Sequence, residues 1–182
     1  MGLAGEIAGP FHDTPSVLRS GVPPAPNHVI IGESALGRGW RDRVAVIGGP
    51  RLFVLEGLTM HLGGDAVRDL VTGLADCCPG SHLLIESAGP LPQPPGRYRQ
   101  LGWAWQDEVR FRWGVRRLSE LTGWHPRLEL RQSWHLMDYN PAAWQAPIRV
   151  LRHIPSVRAQ SKIGHFHVAT DRAGTATSIW DA

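Results

Sequence analysis

Apolar residues gather along the chain in short continuous runs set between Gly and Pro, and one intervening segment repeats at helical spacing. Arg51-Leu-Phe-Val-Leu-Glu56, led by Gly48-Gly49-Pro50, is such a run and predicts a strand covered on both faces. From Asp65 to Ala75 the apolar residues Ala66, Val67, Leu70, Val71 and Leu74 recur at intervals of three and four, which predicts an amphipathic helix. Asp65 sits where an acid can serve the free amides of the first turn, as cap or first-turn acid, and Pro79-Gly80 stops the helix. Ser81-His-Leu-Leu-Ile-Glu86 is a second apolar strand. Strand, helix and strand within about 40 residues predict a βαβ unit, whose two strands run parallel with a right-handed crossover.

Around this unit the pattern is sparser. Asn27-His-Val-Ile-Ile-Gly32 reads as a short buried strand, and Trp40 to Val44 as a short helix. The Pro-rich bend at Pro90 to Pro95 marks a change of character, because seven of the eight tryptophans lie beyond residue 100. Trp113 to Thr122 reads as a helix with Gly123 placed to end it. Arg127-Leu-Glu-Leu-Arg131 alternates polar and apolar, the period of a half-exposed strand. Lys162 to Thr170 predicts a last strand with Ile163, His165, His167 and Ala169 on one face and Phe166 and Val168 on the other. The expected class is α/β, with a mostly parallel sheet that turns antiparallel at its end.

Composition narrows the function classes. At 182 residues the chain suits one domain, able to bury roughly 70% of its unfolded surface. Residues 1–89 form its core side and residues 90–182 an aromatic-rich remainder. No heptad or Gly-X-Y period runs through it, and no stretch approaches the roughly 20 apolar residues that cross a bilayer. Met1 to Pro10 has neither a basic region nor the apolar run of a signal peptide, so the expectation is a soluble cytoplasmic protein without a membrane partner. The formal charge is +3 and the pI about 9.4, but the basic residues are scattered. That favours a solvated Arg surface over a nucleic-acid partner. Cys77 and Cys78 are neighbours without metal-finger spacing, and His165 with His167 supply only two ligands, so no metal is expected.

The chemistry is expected where α/β sheets bind ligands, beyond the carboxyl ends of their strands. Asp13, Ser34 and Glu56 are the best-placed polar groups. An acid ending so apolar a strand is costly to bury unpaired, and Gly57 beside it lets a ligand approach the backbone. The chain lacks G-x-S-x-G, the Walker loop and G-x-G-x-x-G, so hydrolase, nucleotide hydrolase and dinucleotide oxidoreductase readings have no support.

Val54-Leu-Glu-Gly-Leu-Thr-Met-His-Leu62 resembles the "EGLLMYL" signature of the leucine carboxyl methyltransferase family, which includes the tetracenomycin-type polyketide O-methyltransferases dependent on S-adenosylmethionine. Asp13-Thr-Pro-Ser-Val17 resembles the family's "D-x-P-x-V", Ser34-Ala-Leu with Trp40 its "SAL…W", and Pro79-Gly80-Ser81 its "PGS" strand entry. The resemblance covers about residues 10 to 90, and its motifs stand in the family's order.

The resemblance implies a class I, Rossmann-like methyltransferase fold and a set of roles. Asp13 would accept hydrogen bonds from the ribose hydroxyls of S-adenosylmethionine, Ser34, Ala35 and Leu36 would lie along the adenine, and Glu56 would pair with the ammonium. Gly57 would leave room for the sulfonium, and Met60 and His61 would open the side for a small-molecule acceptor. Methyl transfer to a carboxylate needs no general base, whereas transfer to a hydroxyl does, and His61 is the candidate by position. His61 stands where the family carries Tyr. The family also begins with a helical cap and a Gly-rich strand–loop–helix resembling "LGAGLDTR", where this sequence has only Met1-Gly-Leu-Ala-Gly5 ahead of the Asp13 motif. The expectation is an N-terminally truncated domain, lacking the first strand and Gly-rich loop and open to dimerisation at the exposed edge. The rival expectations are a non-catalytic methyltransferase-like remnant, an interaction module, or an Arg-rich RNA-binding domain.

Overall fold

The computed structural model describes residues 31–89, 112–140, 142 and 146–170. Asp13 and the Pro90–Pro95 bend lie outside the described residues, as does all of the expected Asn27–Gly32 strand except Ile31 and Gly32, which are not in a strand. Helix α1 (Gly39–Ala45) precedes strand β1 (Leu52–Leu55), helix α2 (Gly64–Cys77) and strand β2 (His82–Ala88). Strand β3 (Leu128–His135), the short helices α3 (Ala146–Leu151) and α4 (Pro155–Arg158) and strand β4 (Ser161–Val168) follow. No helix among the described residues is long and apolar enough to cross a membrane.

The βαβ unit forms as its periodicity predicts. β1 and β2 pair in parallel, from Leu52 opposite His82 to Leu55 opposite Ile85. Gly63 precedes α2 without a side-chain cap, so Asp65 acts as a first-turn acid at the positive end of the helix. Val67, Leu70, Val71 and Leu74 of α2 are fully buried and share one core with Leu55, Leu83, Ile85, Phe166 and Val168. Full burial of such a side chain contributes about 1.5–3 kcal/mol relative to exposure. The helix ends at Cys77, and Gly80, at φ +76°, donates its amide to the Val168 carbonyl at 2.7 Å.

Three expectations are corrected. The sheet is mixed rather than mostly parallel: its order is β1-β2-β4-β3, and both pairings of β4, with β2 and with β3, are antiparallel. The reason lies in the β4 pattern, in which every second residue is buried and its alternates half-exposed, a pattern suited to an antiparallel strand with one face partly solvated. β1 is likewise covered on one face only, since Leu52 and Val54 are each 53% exposed while Leu55 is buried. Finally, Trp113 to Thr122 is not a helix. Gly114 bridges Ala88 in an extended, parallel arrangement, and a Cβ at Gly114 would stand 2.6 Å from the Ala88 carbonyl oxygen. Only Leu118–Trp124 coils, as a 3₁₀ turn, with the Arg117 amide donating to Glu120 Oε1 at 2.8 Å.

The second half is fastened to the first by that extended stretch. The Val115 amide donates to the Ala88 carbonyl and Ser87 Oγ, and Lys162, 5% exposed, donates its Nζ to the Val115 and Arg116 carbonyls at 2.7 Å each. Burial pulls the Lys162 ammonium below the usual lysine range. β3 carries a bulge between Leu130 and Gln132, which leaves Arg131 as the extra residue.

Candidate functional site

The site builds from the carboxyl end of β1. After Leu55 the chain leaves the sheet through Glu56 and turns at Gly57, whose φ of +62° is the left-handed region that glycine occupies without strain. A 3₁₀ turn over Thr59–His61 follows, with Leu58, Thr59, Met60 and Leu62 buried. Glu56 and Gly57 are exposed, and a Cβ at Gly57 would meet nothing within 4 Å. Among the described residues Glu56 makes no ion pair or hydrogen bond through its carboxylate. The result is a carboxylate beside open backbone at the end of a parallel strand.

Glu86, near the end of β2, completes this corner, and the sequence reading did not single it out. Its Oε2 accepts the Gly57 amide at 2.9 Å and its Oε1 the Ser161 hydroxyl at 3.1 Å, while its backbone carbonyl accepts Thr59 Oγ1. A signal was present: the second apolar run ends on an acid, as the first does.

The remaining candidates divide. Met60 is 8% exposed, and its carbonyl accepts the amides of Arg112 and Trp113 at 2.7 and 3.3 Å. His61 is half-buried and follows it on the same turn. Ser34 is exposed and starts a tight turn in which its carbonyl accepts the Gly37 amide at 2.8 Å. Ala35 is buried, with its carbonyl taking the Trp40 indole N–H at 3.1 Å. Leu36 lines a cavity of about 600 Å³ between α1 and α2, alongside Arg41, Asp69 and Thr72. The cavity runs along α2 from Ala66 in its first turn to Cys77 at its end. No hydrogen bond among the described residues joins Ser34, Ala35 or Leu36 to Glu56 or Gly57. Trp113 and Trp124 pack together at 5.9 Å between ring centroids and lean on the core, whereas Trp134 is 46% exposed.

A second polar cluster lies on the half-exposed sheet face. His82 Nδ1 and His165 Nε2 are 2.8 Å apart, and the His167 ring stands 5.0 Å from that of His82. Arg131 and Glu129 of β3 approach His167. Burial first, then the neighbouring imidazoles and Arg131, push His82 below the ordinary histidine range; burial, His167 and Arg131 do the same to His165. Among the described residues no group of three or more His, Cys, Asp or Glu is disposed to hold a metal ion.

The cluster sets a pH dependence. A depressed folded-state pKa means that the unfolded chain takes up protons first as pH falls below about 6.5, so stability is complete above that value and is lost beneath it. The urea midpoint is expected to be lower at about pH 5.5 than at about pH 7.5. A His82→Asn chain should show a smaller difference. Equal midpoints for the native chain would refute this account.

No family description matches the chain, and no curated protein sequence does. Among solved structures the fold is similar to the crystal structure of a "putative methyltransferase" from Thermobifida fusca YX, with a TM-score of 0.54 and 18% identity over 85% of this chain. The chain spans 59% of the length of that protein. The described residues therefore form an α/β fold with a mixed four-stranded sheet, similar in fold to that protein.

Proposed function

We propose that the chain binds S-adenosylmethionine at the carboxyl end of β1 and is an O-methyltransferase acting on a carboxylate or hydroxyl of a small, polyketide-like molecule. The observation that carries this reading is the Glu56–Gly57 corner: an exposed carboxylate, unpaired among the described residues, beside a left-handed glycine, in a βαβ unit of methyltransferase-like fold. The residues present fit the cofactor's cationic end. Glu56 offers a carboxylate to an ammonium, and Gly57 offers open space beside the backbone. When bound, the cofactor supplies a methyl group on a sulfonium.

The chain's own contribution is then orientation, with the acceptor oxygen held in line behind that methyl group. A carboxylate acceptor would need no proton removed by the chain. A hydroxyl acceptor must lose a proton, and His61 is the candidate to take it through a ring nitrogen. A non-catalytic, methyltransferase-like module is the second reading, favoured by Leu36 lining the α1–α2 cavity rather than the Glu56 corner.

Calorimetric titration of the folded chain with S-adenosylhomocysteine tests the proposal. One-to-one binding in the micromolar range, roughly −8 kcal/mol, is expected. A folded chain that releases no heat and gives no thermal shift at millimolar ligand would leave the module reading standing.

A further inference from the structure

The Glu56–Gly57 turn is a weak element taken alone. It leaves a four-residue strand at the edge of the described sheet, its glycine is exposed, and a Cβ on that glycine would meet nothing within 4 Å. Such a segment samples several backbone conformations unless something outside it fixes one. Among the described residues, Glu86 holds that position. Glu86 belongs to β2, which is hydrogen-bonded on both sides by β1 and β4, and it spends one carboxylate oxygen on the Gly57 amide and the other on Ser161 of β4.

We propose that Glu86 is a positioning residue for the cofactor site: its carboxylate, anchored by the Ser161 hydroxyl, holds the Gly57 amide and so keeps Glu56 aimed outward from the strand end. The proposal rests on the reading of Glu56 and Gly57 as that site. It assigns to Glu86 no contact with cofactor or acceptor. Two features separate this role from simple fold support. The Thr59 hydroxyl binds the backbone carbonyl of Glu86, so the link between the 3₁₀ turn and β2 survives any change of the side chain. Among the described residues the hydrogen bonds of the side chain itself go to the turn glycine and Ser161. Glutamine can reproduce both bonds, its carbonyl accepting from Gly57 and its amide donating to Ser161 Oγ, while removing the negative charge. Position and charge can therefore be separated.

The test compares the native chain with Glu86→Ala, Glu86→Gln and Ser161→Ala by hydrogen exchange of assigned backbone amides and by S-adenosylhomocysteine titration. In Glu86→Ala the Gly57 amide is expected to exchange about tenfold faster or more, with the Leu70 and Phe166 amides unchanged, and affinity is expected to fall about tenfold. Glu86→Gln should keep the native Gly57 rate and stay within about threefold in affinity. Ser161→Ala, which frees one end of the carboxylate, should speed Gly57 exchange by about threefold, and it decides the matter if Glu86→Ala does not fold. An unchanged Gly57 rate in the alanine variants overturns the proposal, as does a Glu86→Gln chain that binds as weakly as Glu86→Ala, which would assign the effect to charge. If even the native chain fails to bind, the site reading falls, and the exchange rates alone still judge whether Glu86 orders the turn.

Discussion

Glu56→Ala is expected to weaken S-adenosylhomocysteine binding about tenfold or more while leaving the thermal midpoint within about 2 °C of the native value. The two halves of this result have separate causes. A hydrogen bond between a carboxylate and an ammonium is worth about 1.5–3 kcal/mol, which converts to roughly ten- to 150-fold in affinity, and partial exposure places Glu56 at the lower end. The same exposure, with no bond from its carboxylate among the described residues, means that truncation removes nothing from the fold. Titration calorimetry and a melting curve on one sample read both. Unaltered affinity in a folded chain would remove Glu56 from the site.

Phe166→Ala is expected to cost about 3–5 kcal/mol of stability, a large share of the 5–15 kcal/mol typical of a domain. Phe166 is fully buried in β4, the strand that joins the βαβ unit to β3. Its ring lies over Gly164, where a Cβ would come within 2.6 Å of Phe166 Cε2 and 3.2 Å of Leu118 Cδ1. Truncation opens a cavity that β4, paired on both sides, cannot close by shifting. Urea unfolding with an unchanged slope measures the loss. A cost under about 1 kcal/mol would show that the neighbours collapse into the space and that this part of the core is looser than its burial implies.

The βαβ unit was legible because its signals agree. Five apolar residues at helical spacing and two runs bounded by Gly and Pro admit few other arrangements, and a parallel pairing follows from the helical crossover. What went unread depends on partners distant in sequence. Leu52-Phe-Val-Leu55 reads the same whether one face or two are covered, because a run of apolar residues records hydrophobicity and not who stands opposite it. Trp113 to Thr122 has helical spacing, but the backbone contact of Gly114 with Ala88 holds its start extended. Glu86 illustrates the same limit at the site. Its residue type and strand-end position were visible, whereas its use depended on Gly57 and Ser161, 29 and 75 residues away.

Lys162 carries a practical consequence. It is the sequence's single lysine, and its amine is sealed against two carbonyls beneath the sheet. A reagent that acylates amines finds one lysine side chain in this sequence, and reaches it only when β4 parts from the 115–116 segment. Modification of that residue thus becomes a clock for opening of the joint between the two halves, readable by mass without any introduced label.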